Sequence, residues 1–277
     1  MKTDSTGPRD RIERAHLKDP GDASHVMYRY EPGPGFEGLL QRFWIPVWSV
    51  PAGREAPQKV LQYPVALLVV ASDYARFYGV VSGLSTTVLA GEGWAVGVML
   101  APAGGGLVAR GSMAPHTDRA VDLADVLGDD GRLLVERVRA AMGPDPHSPA
   151  AHRAATGAVE DALRPLLPVD PEGELVNRVV AFIEDQPDVV RVARVCAEFD
   201  LSERALQRLV RRRLGLTPKW LIQRRRLQEA AGRLRDGATT VAEVAALLGY
   251  ADQPHLTRDF ARVTGMRPGE FAARYGR

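Results

Sequence analysis

One cysteine, Cys196, stands in the whole 277-residue chain. That excludes a disulfide framework and any zinc or iron–sulfur site built on thiolates. Histidines are nearly as sparse. His16, His25, His116, His147 and His152 never fall at the spacing that puts two ligands on one strand face, and His255 stands far from them. No metal centre and no other cofactor is therefore expected. No apolar run approaches the 18 residues of a membrane-crossing helix, and MKTDSTGPRDRIERAH at the start lacks the apolar stretch of a secretion signal, so a cytoplasmic protein without membrane contact is expected. G-x-x-S-G at 79–83 and G-x-G at 91–93 match neither a nucleophile elbow nor a dinucleotide loop, so nothing marks an enzyme.

A further absence is local. RLVRRRLGLTPKWLIQRRR, residues 208–226, holds seven arginines and one lysine without a single acid. Lysine supplies only four of the 36 basic residues, so part of the arginine count reflects a coding bias, but bias does not remove acids from one stretch. The overall charge of +2 hides an asymmetry: residues 171–277 carry 19 basic against 14 acidic side chains, residues 1–170 carry 17 against 20. Clustered positive charge on a core-forming segment is the footprint expected for a polyanion such as double-stranded DNA, and a merely solvated basic face is the other reading. Not every arginine is a contact. Roughly half of Arg211–Arg213 and Arg224–Arg226 are expected to pair within the protein or stay solvated.

The chain divides into halves of different character. Residues 1–24 are polar and Gly/Pro-rich and read as a flexible arm. From 25 to 143, short Val- and aromatic-rich runs broken by Gly and Pro (RFWIPVWSVPAG, KVLQYPVALLVVA, STTVLAGEGWAVGVML) predict a β-sandwich or small barrel with a trailing helix. Residues 144–173 read as a linker carrying one helix that starts at Ser148–Pro149. PVDPEG, 168–173, closes it.

Beyond 173 the pattern is all helical. Ser202 caps a helix with Leu206, Leu209, Val210 and Leu214 on one side and Arg204, Gln207, Arg208 and Arg211 on the other. With the short helix before it, this is a helix-turn-helix over 191–214. Thr217–Pro218 opens a long basic helix to about Arg235. A second helix-turn-helix follows over 240–264, with Leu256, Phe260 and Val263 inward and Gln253, His255, Arg258 and Arg262 outward. Arg on guanine and Gln on adenine are pairings the major groove rewards. Cys196, beside Val192 and Val195, reads as a small buried hydrophobe.

TVAEVAALLGYADQPHLTRDFARVTGMRPGEFAARY (240–275) and SERALQRLVRRRLGLTPKWLIQRRRLQEA (202–230) resemble the AraC/XylS-type DNA-binding domain over about 100 residues. The resemblance implies two recognition helices in successive major grooves. Carried over position by position, the base readers are Arg204, Gln207 and Arg208, then Gln253, His255 and Arg258, with Pro254 in a slot that is often polar in the family. PGPGFEGLLQRFW and HTDRAVDLADVLG resemble the cupin-like sensor domains that precede such domains. That likeness implies an α+β chain of two domains, 25–143 and 174–277, controlled by a small-molecule effector, with RNA polymerase as a partner if it activates and homodimerisation through the N-terminal domain. Trp44, Trp48, Phe77, Tyr78 and Trp94, with Phe43, are candidates for an effector pocket, and barrel core is an equally good reading of each. A ligand-blind dimeric co-regulator, or a DNA-binding domain fused to an enzymatic barrel, are the alternatives.

Overall fold

The computed structural model describes residues 16–17, 21–61 and 63–276. Strands occupy the first half and helices the second, the two-domain α+β division that the composition implies. Six strands form one antiparallel sheet: β1 (His25–Tyr30), β2 (Leu40–Ser49), β4 (Leu67–Ala71), β5 (Ala75–Tyr78), β7 (Glu92–Leu100) and β8 (Ala120–Asp122), in the order β1-β2-β7-β4-β5-β8. The other two, β3 (Ala56–Val60) and β6 (Ser85–Leu89), form a separate two-stranded sheet, so the described strands close no continuous hydrogen-bonded barrel. Two short helices, α1 (Gly104–Val108) and α2 (Leu123–Leu127), follow β7 and β8, and two longer ones, α3 (Asp129–Met142) and α4 (Pro149–Leu163), come after them.

Period-two alternation decides what each sheet face holds. Along β2, Phe43, Ile45 and Val47 are buried while Trp44, Pro46 and Trp48 stay half-buried. Phe43, Ile45, Leu68, Val70, Phe77, Val96 and Val98 share one core with α3 and α4. Truncating Phe43 or Phe77 there would cost about 3–5 kcal/mol. The helix α4, which the sequence places in a linker, contributes Ala151, Ala155, Ala158, Val159 and Leu163 to this core. It is covalently a connector and physically part of the sheet domain. His152 at its start is fully buried; its Nδ1 faces the Tyr30 hydroxyl at 2.6 Å and its Nε2 the Pro146 carbonyl at 2.8 Å, which ties β1 to the α3–α4 connection.

Of the expected flexible arm, residues 1–15 and 18–20 lie outside the described residues. Leu17 is no loose end: its amide donates to the Lys59 carbonyl at 2.8 Å and its side chain is 3% exposed.

The helical half runs α5 (Pro171–Asp185), α6 (Val192–Phe199), α7 (Glu203–Leu214), α8 (Pro218–Asp236), α9 (Val241–Leu247), α10 (Gln253–Thr264) and α11 (Pro268–Tyr275). Its boundaries follow from side-chain caps. Ser202 accepts from the Ala205 amide, Thr217 from that of Trp220 and Asp252 from that of His255, and Thr240 with Glu243 forms a capping box. Asp200 and Gly249 make the two tight turns, both at positive φ, where glycine is free and aspartate is tolerated.

Two apolar clusters sit along α8. Its first half packs with α5, α6 and α7 through Val176, Val180, Val195, Leu206, Leu209, Val210 and Leu221. Its second half packs with α9, α10 and α11 through Leu227, Ala231, Leu234, Val244, Leu256, Phe260 and Phe271. The sheet domain enters both clusters, with Val80 and Ala103 in the first and Leu17 and Leu61 in the second.

Candidate nucleic-acid interface

On α7, Leu206, Leu209, Val210 and Leu214 are buried, while Arg204, Gln207, Arg208 and Arg211 are exposed. Gln207 Nε2 donates to Glu203 Oε1 at 3.0 Å; Arg204, Arg208 and Arg211 pair with no carboxylate among the described residues. On α10, Leu256, Phe260 and Thr264 are buried and Gln253, Arg258 and Arg262 are exposed, with Val263 partly buried. Pro254 sits exposed in the first turn, where a missing N–H costs little. His255 is half-buried: its ring meets Tyr250 edge-on at 5.1 Å, and its Nε2 lies 3.8 Å from Asp259 Oδ2. Asp259 Oδ1 accepts from the Arg262 guanidinium at 3.2 Å. Each motif thus presents one outward polar face on its second helix, and the 19-residue α8 joins them over about 28 Å.

The basic run divides sharply, and more of it turns inward than the half expected from the sequence. Arg213, Arg224, Arg225 and Arg226 are all buried, between 2% and 8% exposed. Arg213 meets Asp170 at 2.5 Å and Glu172 at 3.6 Å, and Arg212 pairs with Glu172. Arg224 donates to the Gly83 carbonyl at 3.0 Å and stacks on Trp220; burial pushes its guanidinium down to about 10, still charged at neutral pH. Arg225 donates to the carbonyls of Pro187 and Val189 and pairs with Glu229. Arg226 donates to the Leu248 carbonyl at 2.8 Å and lies 3.8 Å over the Tyr250 ring. Five arginines of the run therefore join pieces of the protein, leaving Arg208 and Arg211 as its outward pair. Sequence reasoning missed these acceptors because four are backbone carbonyls, which carry no residue-type signal.

The sheet domain also grips the first motif directly. The Met113 amide donates to the Arg212 carbonyl at 2.8 Å, and Thr117 Oγ1 donates to the Gly215 carbonyl at 3.1 Å. Gly215, at φ +76°, leaves no room there: a Cβ would overlap Thr117 Oγ1. Gln228 Nε2 reaches the Leu61 carbonyl at 3.2 Å.

The aromatic candidates do not line one cavity. Phe43, Phe77 and Trp94 belong to the core under the helices, where Phe77 also meets the His116 ring edge-on. Trp44, Trp48 and Tyr78 lie on the opposite sheet face with Tyr63, Leu67, Val69, Ala95 and Met99. Trp44 and Trp48 lie across Gly97 and Gly93, where a Cβ would overlap the indole rings. Cys196 is half-buried beside Val195, less enclosed than its stripe implies. Among the described residues no group of three His, Cys, Asp or Glu is placed to hold a metal ion, and no helix is long and apolar enough to cross a membrane.

Two tandem helix-turn-helix units on a shared helix, with a sheet-rich domain packed against them, define the class of architecture. Residues 195–274 match a helix-turn-helix domain family, and residues 28–122 match a domain of unknown function (DUF6597). Similar curated proteins include the HTH-type transcriptional activator RhaS of Escherichia fergusonii, 34% identical over 96 residues, and RhaS of Escherichia coli O1:K1 / APEC, 33% identical over 94. Each match covers 34% of this chain and 34% of the relative, so the chain spans about a third of the length of the curated relatives it matches. Similar solved structures include a probable AraC family transcriptional regulator from Rhodopseudomonas palustris CGA009 (29% identity, 38% of this chain and 99% of that one, TM-score 0.35). ToxT from Vibrio cholerae is another (11% identity, 91% and 98%, TM-score 0.41). The chain thus carries a helix-turn-helix domain over residues 195–274 and is similar, over about a third of its length, to these transcriptional activators.

Proposed function

We propose that this chain is a sequence-specific DNA-binding transcriptional regulator whose sheet domain responds to a small-molecule effector. The observation that carries the reading is the pair of outward faces, Arg204, Gln207, Arg208 and Arg211 on α7 and Gln253, His255, Arg258 and Arg262 on α10, spaced by a helix close in length to the ~34 Å between successive major grooves. Phosphate contacts supply affinity and register, and the Arg/Gln set supplies base choice.

The sheet domain's grip on Arg212, Gly215 and α8 supports effector control over a ligand-blind scaffold, since anything that shifts the Met113–Thr117 turn moves the end of a reading helix. The half-buried face of Trp44, Trp48 and Tyr78 is the better candidate for the effector, because Phe77 and Trp94 are consumed by core packing. A cytoplasmic location, homodimerisation through the sheet domain and, for an activator, contact with RNA polymerase complete the reading. The test is selection of binding sites from a random DNA library with the full chain, followed by thermal-shift screening against small metabolites. Failure to enrich any sequence would remove the regulator reading; enrichment without any stabilising metabolite would favour the ligand-blind co-regulator.

A further inference from the structure

Asp259 is an acid on a surface that meets a polyanion, and its place needs a reason. It lies on α10 between two of the outward residues, His255 one turn before and Arg262 one turn after, and its side chain is only 13% exposed. One carboxylate oxygen accepts from Arg262 at 3.2 Å; the other faces His255 Nε2 at 3.8 Å, beyond hydrogen-bond length but close enough to favour a donor there. The His255 ring also meets Tyr250 edge-on at 5.1 Å, and Tyr250 itself lies under Arg226 of α8. An arginine free to turn reaches for the nearest phosphate. One held by a carboxylate keeps its remaining N–H donors in a fixed direction and loses less rotamer freedom on binding.

We propose that Asp259 is a positioning residue of the second reading helix, which holds Arg262 and His255 in the directions that select bases without touching DNA itself. This rests on the DNA-binding reading above. It gives Asp259 an effect opposite in sign on affinity and on specificity: neutralising it removes a repulsive charge while it frees the two readers.

The experiment measures binding of the full chain to its selected operator, to operators altered in either subsite and to unrelated DNA. Asp259→Asn is expected to bind unrelated DNA at least as tightly as the parent and to lose about tenfold of its discrimination in the α10 subsite, with the α7 subsite unchanged. Asp259→Glu should restore part of that discrimination. In a His255→Ala/Arg262→Ala background, Asp259→Asn should change discrimination no further, since that effect passes through those two side chains, while the loss of a repulsive charge still raises affinity for all DNA alike. Unaltered discrimination in folded Asp259→Asn overturns the proposal. So does an effect on discrimination that survives in the double background, which would make Asp259 a direct base contact. A parent chain that selects no DNA sequence at all would instead overturn the DNA-binding reading, with the proposal falling as its consequence.

Discussion

Arg211 and Arg225 belong to one basic segment, and their removal should have opposite consequences. Arg225 Nη2 donates to two backbone carbonyls, Pro187 at 3.0 Å and Val189 at 3.1 Å, while Nη1 meets Glu229 at 3.2 Å. Arg225→Ala leaves the buried Val189 carbonyl without this donor, at about 1–3 kcal/mol, and the part-buried Pro187 carbonyl at a smaller cost because water can reach it, whereas Glu229 keeps Arg233. A total loss of about 2–4 kcal/mol corresponds to a fall in Tm on the order of 10 °C. Arg211 is exposed and has no carboxylate partner among the described residues, so Arg211→Ala should leave Tm within about 2 °C of the parent. It should instead flatten the dependence of log affinity on log salt by about 0.9, one phosphate contact. Calorimetry and fluorescence anisotropy across a salt series read both quantities. If Arg225→Ala, still folded, loses salt slope while its Tm holds, the division of the arginines into braces and DNA contacts is wrong.

Arg208→Ala should relax base choice in one subsite by about 1–3 kcal/mol and Arg258→Ala in another about one helical turn away, as a saturation-mutated operator would resolve; relaxation of the same base pairs by both would refute two-groove binding. Gly215→Ala should cost more than the roughly 1–2 kcal/mol of a left-handed alanine, because its Cβ meets Thr117 and Met113, and hydrogen exchange should rise at Met113 and Gly215 as the sheet domain lifts from α7. Burial raises the Asp22 carboxyl, but hydrogen bonds from Ser24 and Gln58 and the neighbouring His25 outweigh it and bring it down to about 2. With the folded value depressed, this stability is present above the unfolded value near 4 and is lost as pH falls through 2, so Asp22→Asn, with solvent screening allowed for, should lose about 1–2 kcal/mol at pH 6 and almost nothing near pH 2 in urea titrations. Cys196→Ala should leave DNA binding unchanged, because the half-buried thiol has only packing to lose.

Whatever depends on neighbours along the chain was legible in the residues before any fold was known. Helix boundaries in the second half follow from Ser202, Thr217, Thr240 and Asp252 as caps, and the inward leucines of α7 follow from the 3.6-residue repeat, so Arg204, Gln207, Arg208 and Arg211 necessarily come out opposite. Features that depend on distant partners appear only once the chain is folded. Charge is visible in a sequence but its acceptor is not, and four buried arginines turned out to be held mostly by carbonyls and acids far along the chain. Alternation separates Phe43 from Trp44, yet only the strand order shows which face the helices cover and thus which aromatics stay accessible. The sheet domain's hold on Arg212 and Gly215 joins residues about a hundred positions apart, and its acceptors are main-chain carbonyls, which every residue carries alike and no local pattern can single out.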